Sequence, residues 1–208
     1  MNDNRKDIVT EKKSIRIIIF SYLGVIGGIL LDQITKYLAY TNLRGQDAFV
    51  IIPNVFELRY LENQSAAFSF DPISLLHKIF HISYFDAHPD AFLTCKMVFF
   101  VAMTVIVLVL LAVLYRRIPW NRHWLPMNLI LLGFMAGAIG NLIDRIVHRF
   151  VIDFFYFRLI NFPIFNVADI YVTIAAIALM IAIFFIYSEK DFNSIFPSKK
   201  KSSDNTCE

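Results

Sequence analysis

Charge is scarce in this chain of 208 residues: Lys, Arg, Asp and Glu make up 18%, against 57% hydrophobic residues. With a mean hydropathy of +0.57, that balance argues against soluble domains and for a membrane protein, and 21 Phe residues strengthen the reading. Cysteine is scarcer still. Cys95 opens an apolar run and Cys207 lies in a polar tail, a spacing that offers neither a disulfide framework nor a thiolate metal cage. The protease signatures that depend on histidine or serine are also missing. Lys78, Ile79 and Phe80 separate His77 from His81, so there is no HExxH, and no GxSxG elbow occurs. His88 lies between Asp86 and Asp90, but a bare four-residue histidine spacing supplies only two metal ligands. No metal or cofactor is expected. The net charge of +3 is small and the basic residues sit beside apolar segments, a pattern of membrane orientation and not of nucleic-acid binding.

What is present is a succession of apolar spans. The basic run Arg5 to Lys13 precedes an apolar segment without a small-residue cleavage pattern, so it reads as the lead-in to a retained first helix. Residues 1–14 are expected to be a cytoplasmic segment, 15–190 a four-helix membrane domain with an insert over 41–93, and 191–208 a disordered cytoplasmic tail. The first span is Ile15 to Tyr40, where Gly24, Gly27 and Gly28 would let a neighbouring helix approach closely. Asp32 and Lys36 lie four apart near its end and can pair as an interfacial ion pair. In the insert, Phe56, Leu58 and Tyr60 alternate with Glu57 and Arg59 after a Pro53–Asn54 turn, which predicts a strand. Asp71 and Pro72 then start a surface helix to Ile82, with Leu75, Leu76, Ile79 and Phe80 on one face.

The second span runs from Cys95 to Tyr115 with Lys96 at its outer edge, and the third from Leu125 to Val147. Asn141, Asp144 and Arg145 share one face of the third. VIDFFYF, Val151 to Phe157, is too short to cross a bilayer and reads as strand or interfacial loop. The fourth span runs from Asn166, a helix cap, to Tyr187, with Asp169 three residues after the cap. The fold class is therefore an all-α polytopic membrane protein: four transmembrane helices, a small extracytoplasmic β element and an interfacial helix. Four spans put both termini on one side with the basic Arg116 to His123 loop, and the positive-inside rule makes that side cytoplasmic. Asp32, Lys36, Asn141, Asp144, Arg145, Asp153 and Asp169 then gather near the outer ends of their segments.

Carboxylates at bilayer depth cost roughly 2.5 to 3.5 kcal/mol on insertion scales, so they are first read as functional. Two held close cannot both ionise. One then stays a base and the other a proton donor, the requirement of aspartic amide hydrolysis. Against this, Asp153 could be a surface loop residue and Asp169 a second helix cap. Intramembrane carboxylates also mark ion pathways, so a proton- or ion-coupled carrier is the rival reading, with a noncatalytic lipid-binding scaffold behind it. The polar residues cluster at one depth, however, and no inverted repeat relates the two halves.

Five stretches, LDQITK (Leu31 to Lys36), NQSAAFSF (Asn63 to Phe70), GAIGNLIDR (Gly137 to Arg145), VIDF (Val151 to Phe154) and FNVAD (Phe165 to Asp169), follow in this order. Together the sequence resembles the bacterial signal peptidase II family, the lipoprotein signal peptidases, from about Ile17 to Tyr187. The resemblance implies an intramembrane aspartic endopeptidase of the bacterial cell membrane. Such an enzyme removes signal peptides from diacylglyceryl-modified prolipoproteins just before the lipidated cysteine, with its active site near the outer face. It further implies that Asp153 and Asp169 are the catalytic pair, that Asn63, Asn141, Arg145 and Asn166 line the substrate site, and that Asp32, Lys36 and Asp144 support it. The expected partners are these precursors and membrane lipids, and the expected state is a monomer. Three positions depart from the family pattern: Ser65, Arg149 and Ala175 each stand where glycine is usual. The loop from Asp71 to Thr94 is longer than the family norm.

Overall fold

A computed structural model describes residues 15–65 and 71–195. The expectations for residues 1–14 and 196–208, and the Ala66 to Phe70 part of NQSAAFSF, lie outside the described residues. Among the described residues four helices are long and apolar enough to cross a membrane. They are α1 (Ile15–Leu43), α4 (Pro89–Arg117), α5 (Leu125–His148) and α6 (Val167–Phe185), with α2 (Pro72–Phe80), α3 (Ser83–Ala87) and α7 (Glu189–Ile195) as shorter pieces. Polar side chains along α1 and α4 are accommodated by backbone bonding, as where the Thr35 and Thr104 hydroxyls donate to the carbonyls of Leu31 and Phe100 one turn back.

Helix α4 begins nearly two turns before the expected Cys95, with Pro89 at its first position and Asp90 in its first turn, both of which suit a helix start. In this longer helix Lys96 is buried within the protein, 7% exposed. Its ammonium meets Asp71 Oδ2 at 2.5 Å. Asp71 also caps α2 by accepting from the Ser74 amide at 2.9 Å. Partial burial pushes the Asp71 carboxyl up, but the Lys96 and Ser74 hydrogen bonds outweigh it and hold the group below its ordinary value. Leu75, Leu76, Ile79 and Phe80 of α2 remain exposed, as an interfacial helix requires.

Helices α5 and α6 pack through small residues. A Cβ on Gly137 would come within 2.6 Å of both the Ala168 carbonyl oxygen and Val172 Cγ2, so only glycine permits this crossing. Ala175, one of the three departures, is buried with its methyl 3.4 Å from the position a Cβ on Gly133 would take. The missing glycine in α6 is thus accommodated by one in α5. Among the three glycines of α1 only Gly28 lies against a neighbour, the Tyr171 ring, whose hydroxyl donates to the Gly28 carbonyl at 3.2 Å. Gly24 and Gly27 face open space, contrary to the close approach expected there.

At the end of the bundle that holds the α4–α5 connection, Trp124 stacks on Tyr187 and His123 meets Asp191 of α7 at 2.9 Å. Phe192 and Ile195 pack against the same apolar cluster, so ordered structure extends past the expected tail boundary at residue 191. Tyr22 of α1 reaches this end as well, edge-on to Tyr115. At the opposite end lies a three-stranded antiparallel sheet, β1 (Phe49–Ile52), β2 (Phe56–Asn63) and β3 (Val151–Phe157), in that order. VIDFFYF is therefore a strand, recruited across the chain to pair with β2, Leu61 opposite Asp153 and Asn63 opposite Val151.

Arg149 terminates α5 with φ 64° and ψ 16°, in the left-handed region. Glycine alone adopts that conformation freely, whereas a side chain costs roughly 1–2 kcal/mol there. Arg149→Gly is therefore expected to raise the thermal midpoint in detergent, by the equivalent of roughly 0.5–1 kcal/mol once the greater freedom of glycine in the unfolded chain is subtracted. A lowered midpoint would show that the Arg149 side chain holds the turn.

Candidate active site

Two pieces of local chemistry bring the aspartates together. Phe165 accepts from the amides of Phe154 and Phe155 at 3.1 and 2.9 Å and returns its own amide to Phe155 at 3.0 Å. This bridge folds residues 158–164 back, so FNVAD starts against β3. Asn166 then caps α6 in a reciprocal box: its Oδ1 accepts from the Asp169 amide at 3.0 Å, and Asp169 Oδ2 accepts from the Asn166 amide at 3.1 Å. Asp169 is thus a helix-capping carboxylate, as its spacing allowed, and the asparagine that it caps with also binds a second carboxylate.

Asp153 Oδ1 accepts from Asn166 Nδ2 at 2.6 Å, and its Oδ2 from Asn63 Nδ2 at 2.8 Å. The remaining oxygen of the capping aspartate, Asp169 Oδ1, accepts from Asn141 Nδ2 at 2.9 Å. Asn166 Nδ2 also reaches Asn141 Oδ1 at 3.1 Å. One asparagine therefore ties both carboxylates, and two more each hold one of them. Asp153 is 1% exposed, which excludes the reading of a surface loop residue. Burial, then the negative charge of Asp169, pushes the Asp153 carboxyl up to about 7, against the pull of Asn63, Asn166 and Lys36.

Beneath this pair sits a second group. Asp32, Lys36 and Asp144 are 0%, 1% and 1% exposed, and Lys36 Nζ lies 2.9 Å from Asp32 Oδ2 and 3.0 Å from Asp144 Oδ2. The i,i+4 pair exists, but inside the bundle and about two turns before the end of α1, not as an interfacial pair closing the span. The third ammonium bond goes to Asn141 Oδ1 at 2.9 Å. Gln33 closes the group: its Nε2 lies 3.1 Å from Asp32 Oδ2, 3.1 Å from Asp144 Oδ1 and 3.2 Å from the Gly140 carbonyl. A Cβ on Gly140 would come within 2.5 Å of Asp32 Oδ2, so glycine is what lets α5 reach this carboxylate. Gln33 and Gly140 lie inside the quoted motifs, but no spacing rule singles them out.

Arg145 is half-buried, its guanidinium 5.3 Å over the Phe100 ring and its Nη2 3.2 Å from the Ser65 carbonyl. The Ser65 amide donates to Asn63 Oδ1 at 2.8 Å, so Ser65, the second departure, is held on both sides of its Cα. Every predicted site residue joins this network. Among the described residues no group of three or more His, Cys, Asp or Glu is arranged to hold a metal ion.

Four membrane helices, with Asp153 on β3 and Asp169 at the start of α6 joined by one amide network, are those of a class: a polytopic membrane aspartic peptidase. Known proteins place the chain more closely. Residues 25–185 match the family described as Signal peptidase (SPase) II. The lipoprotein signal peptidase of Lactococcus lactis subsp. lactis is 33% identical over 165 residues, covering 79% of this chain and 93% of the relative. That of Microcystis aeruginosa is 36% identical over 169 residues, covering 76% and 86%. A solved structure of a bacterial membrane enzyme, 28% identical, superposes with a TM-score of 0.61 over 82% of this chain and 96% of its own. The chain belongs to the signal peptidase II family. Nothing in these likenesses supports an ion-coupled carrier.

Proposed function

We propose that Asp153 and Asp169 are the catalytic pair of a peptidase that cuts diacylglyceryl-modified prolipoproteins just before the lipidated cysteine. The observation that carries this is Asn166, whose amide bonds Asp153 while its own helix-capping box holds Asp169. In this reading the pair shares one proton. The ionised member takes a proton from water as it attacks the scissile carbonyl, the protonated member polarises that carbonyl, and the proton then passes to the leaving amine. Asn63, Asn141 and Asn166 offer amide donors and acceptors to an extended peptide, and Arg145 can hold carbonyl or ester oxygens by its fork of donors. Lipids surround the four spans, the termini face the cytoplasm by the positive-inside rule, the site opens near the outer face, and the enzyme works as a monomer.

The titration of the pair follows from the raised Asp153 group. A carboxyl pushed up to about 7 is mostly protonated in mild acid and loses its proton across neutral pH. Cleavage is therefore expected to fall as pH rises through about 7, when the pair loses the shared proton, and to fall again in acid when both members are protonated. The test is kcat/KM of the purified enzyme on a lipidated precursor across this range. A rate still climbing well above the Asp153 value would overturn the shared proton, and release of an ion gradient without cleavage would overturn the peptidase reading itself.

A further inference from the structure

The buried charges beneath the dyad touch the backbone at two telling places. Asp32 Oδ1 accepts from the Ala168 amide at 2.8 Å, and Asp144 Oδ2 accepts from the Ile152 amide at 3.0 Å. Ala168 precedes Asp169 and Ile152 precedes Asp153. The two bonds come from different helices, α1 and α5, and end one residue short of each aspartate. Between them Lys36 binds both carboxylates and gives its remaining hydrogen bond to Asn141 Oδ1.

That last bond also decides how Asn141 is oriented. Its oxygen accepts from two donors, Lys36 Nζ and Asn166 Nδ2. An amide nitrogen turned toward Lys36 would set donor against donor, so Nδ2 must face Asp169, as it does at 2.9 Å. An ammonium has three donors and no acceptor capacity, and all three are committed here. Lys36 thus acts on Asp169 without touching it.

We propose that Asp32, Lys36 and Asp144 form a positioning clamp for the dyad. Asp32 and Asp144 fix the peptide units that lead into Asp169 and Asp153, and Lys36 locks the two carboxylates together and turns the Asn141 amide toward Asp169. None of the three is a catalytic residue. Their work is the spacing and protonation of a pair whose members come from a strand and a helix with no direct peptide link shorter than the Phe154 to Ala168 segment. The inference rests on the dyad reading above.

The test compares Asp144→Leu, which removes the acceptor for the Ile152 amide, with Asp144→Asn, which keeps an acceptor oxygen there. Turnover of a diacylglyceryl-modified precursor and its pH profile are measured in detergent, with the thermal transition of each variant recorded. Asp144→Leu is expected to lower kcat at least about 10-fold with KM changed less than about 3-fold, since a reacting group displaced by an ångström loses rate and not binding. Asp144→Asn is expected to recover part of kcat, and in both the neutral-pH limb should move from its wild-type position. A folded Asp144→Leu with wild-type kcat and limb overturns the clamp, as does a loss confined to KM. Should Asp144→Leu not fold, Asp144→Asn and Asp32→Asn decide alone: an unmoved limb in both overturns it. The dyad reading fails by a separate result, full activity in Asp153→Asn, which leaves the clamp variants uninvolved.

Discussion

Asp153→Asn and Asp169→Asn are each expected to lower kcat on a lipidated precursor by about 10²- to 10⁴-fold, the range for loss of a positioned proton-transfer group. The amide replaces a carboxylate of nearly equal shape, so the change tests proton transfer and not packing. At position 153 the new Oδ1 can still accept from Asn166 or Asn63, which in the wild type bind the carboxylate at 2.6 and 2.8 Å. At 169 the oxygen can still accept from the Asn166 amide and keep the α6 cap. Neither amide can hold and release a proton. Precursor binding should largely survive, because Arg145 is untouched and the new amide nitrogen costs one asparagine bond at each position, that of Asn63 or Asn166 at 153 and that of Asn141 at 169. The double variant is expected to be no slower than the slower single one, since two groups that share one proton act as a unit. Initial cleavage rates settle the matter: either single variant at wild-type rate removes that aspartate from the pair.

Much of this site is legible in the amino-acid sequence, for reasons of local physics. Asp71–Pro72 announces a capped helix because a short acceptor followed by a fixed φ suits a first turn, and Phe56 to Tyr60 announces a strand by its alternation. Asp32 and Lys36 form a pair because four residues make about one helical turn. Asn141, Asp144 and Arg145 share a face, but the face splits in the fold: Asn141 serves Asp169, Asp144 serves Lys36 and the Ile152 amide, and Arg145 serves Ser65. Helical spacing sets direction but not partner. What stays illegible is non-local. Nothing in VIDFFYF names the distant β2 as its neighbour, and nothing around Lys96 shows that Asp71 will cover it. Gln33 reads as an ordinary amide among apolar residues, yet it faces three acceptors on two helices.

Lys36→Met is expected to be the most destabilising single change outside the helix crossings. Asp32, Lys36 and Asp144 are all at most 1% exposed, so water cannot replace a lost partner. Methionine keeps the stem's bulk and removes the charge. Two carboxylates are then left facing one another at the meeting of α1 and α5, with only Gln33 to donate to both, and the Asn141 oxygen loses one of its two donors. Removing one partner of a buried ion pair costs about 3–5 kcal/mol, most of it the penalty of the charge left behind. A triple variant supplies the control. Because the cost arises from stranded charge and not from a missing attraction, removing the charge should restore stability: Asp32→Asn and Asp144→Asn combined with Lys36→Met are expected to recover most of the loss, although each neutralises another member of the group. Unfolding in mixed micelles, read by the denaturant midpoint, distinguishes the two accounts. If the triple variant is less stable than Lys36→Met, the attraction itself holds α1 to α5; if it is more stable, the loss came from stranded charge. A triple variant above wild type would show that the ion group costs stability and is kept for where it places Ile152, Ala168 and the two aspartates that follow them.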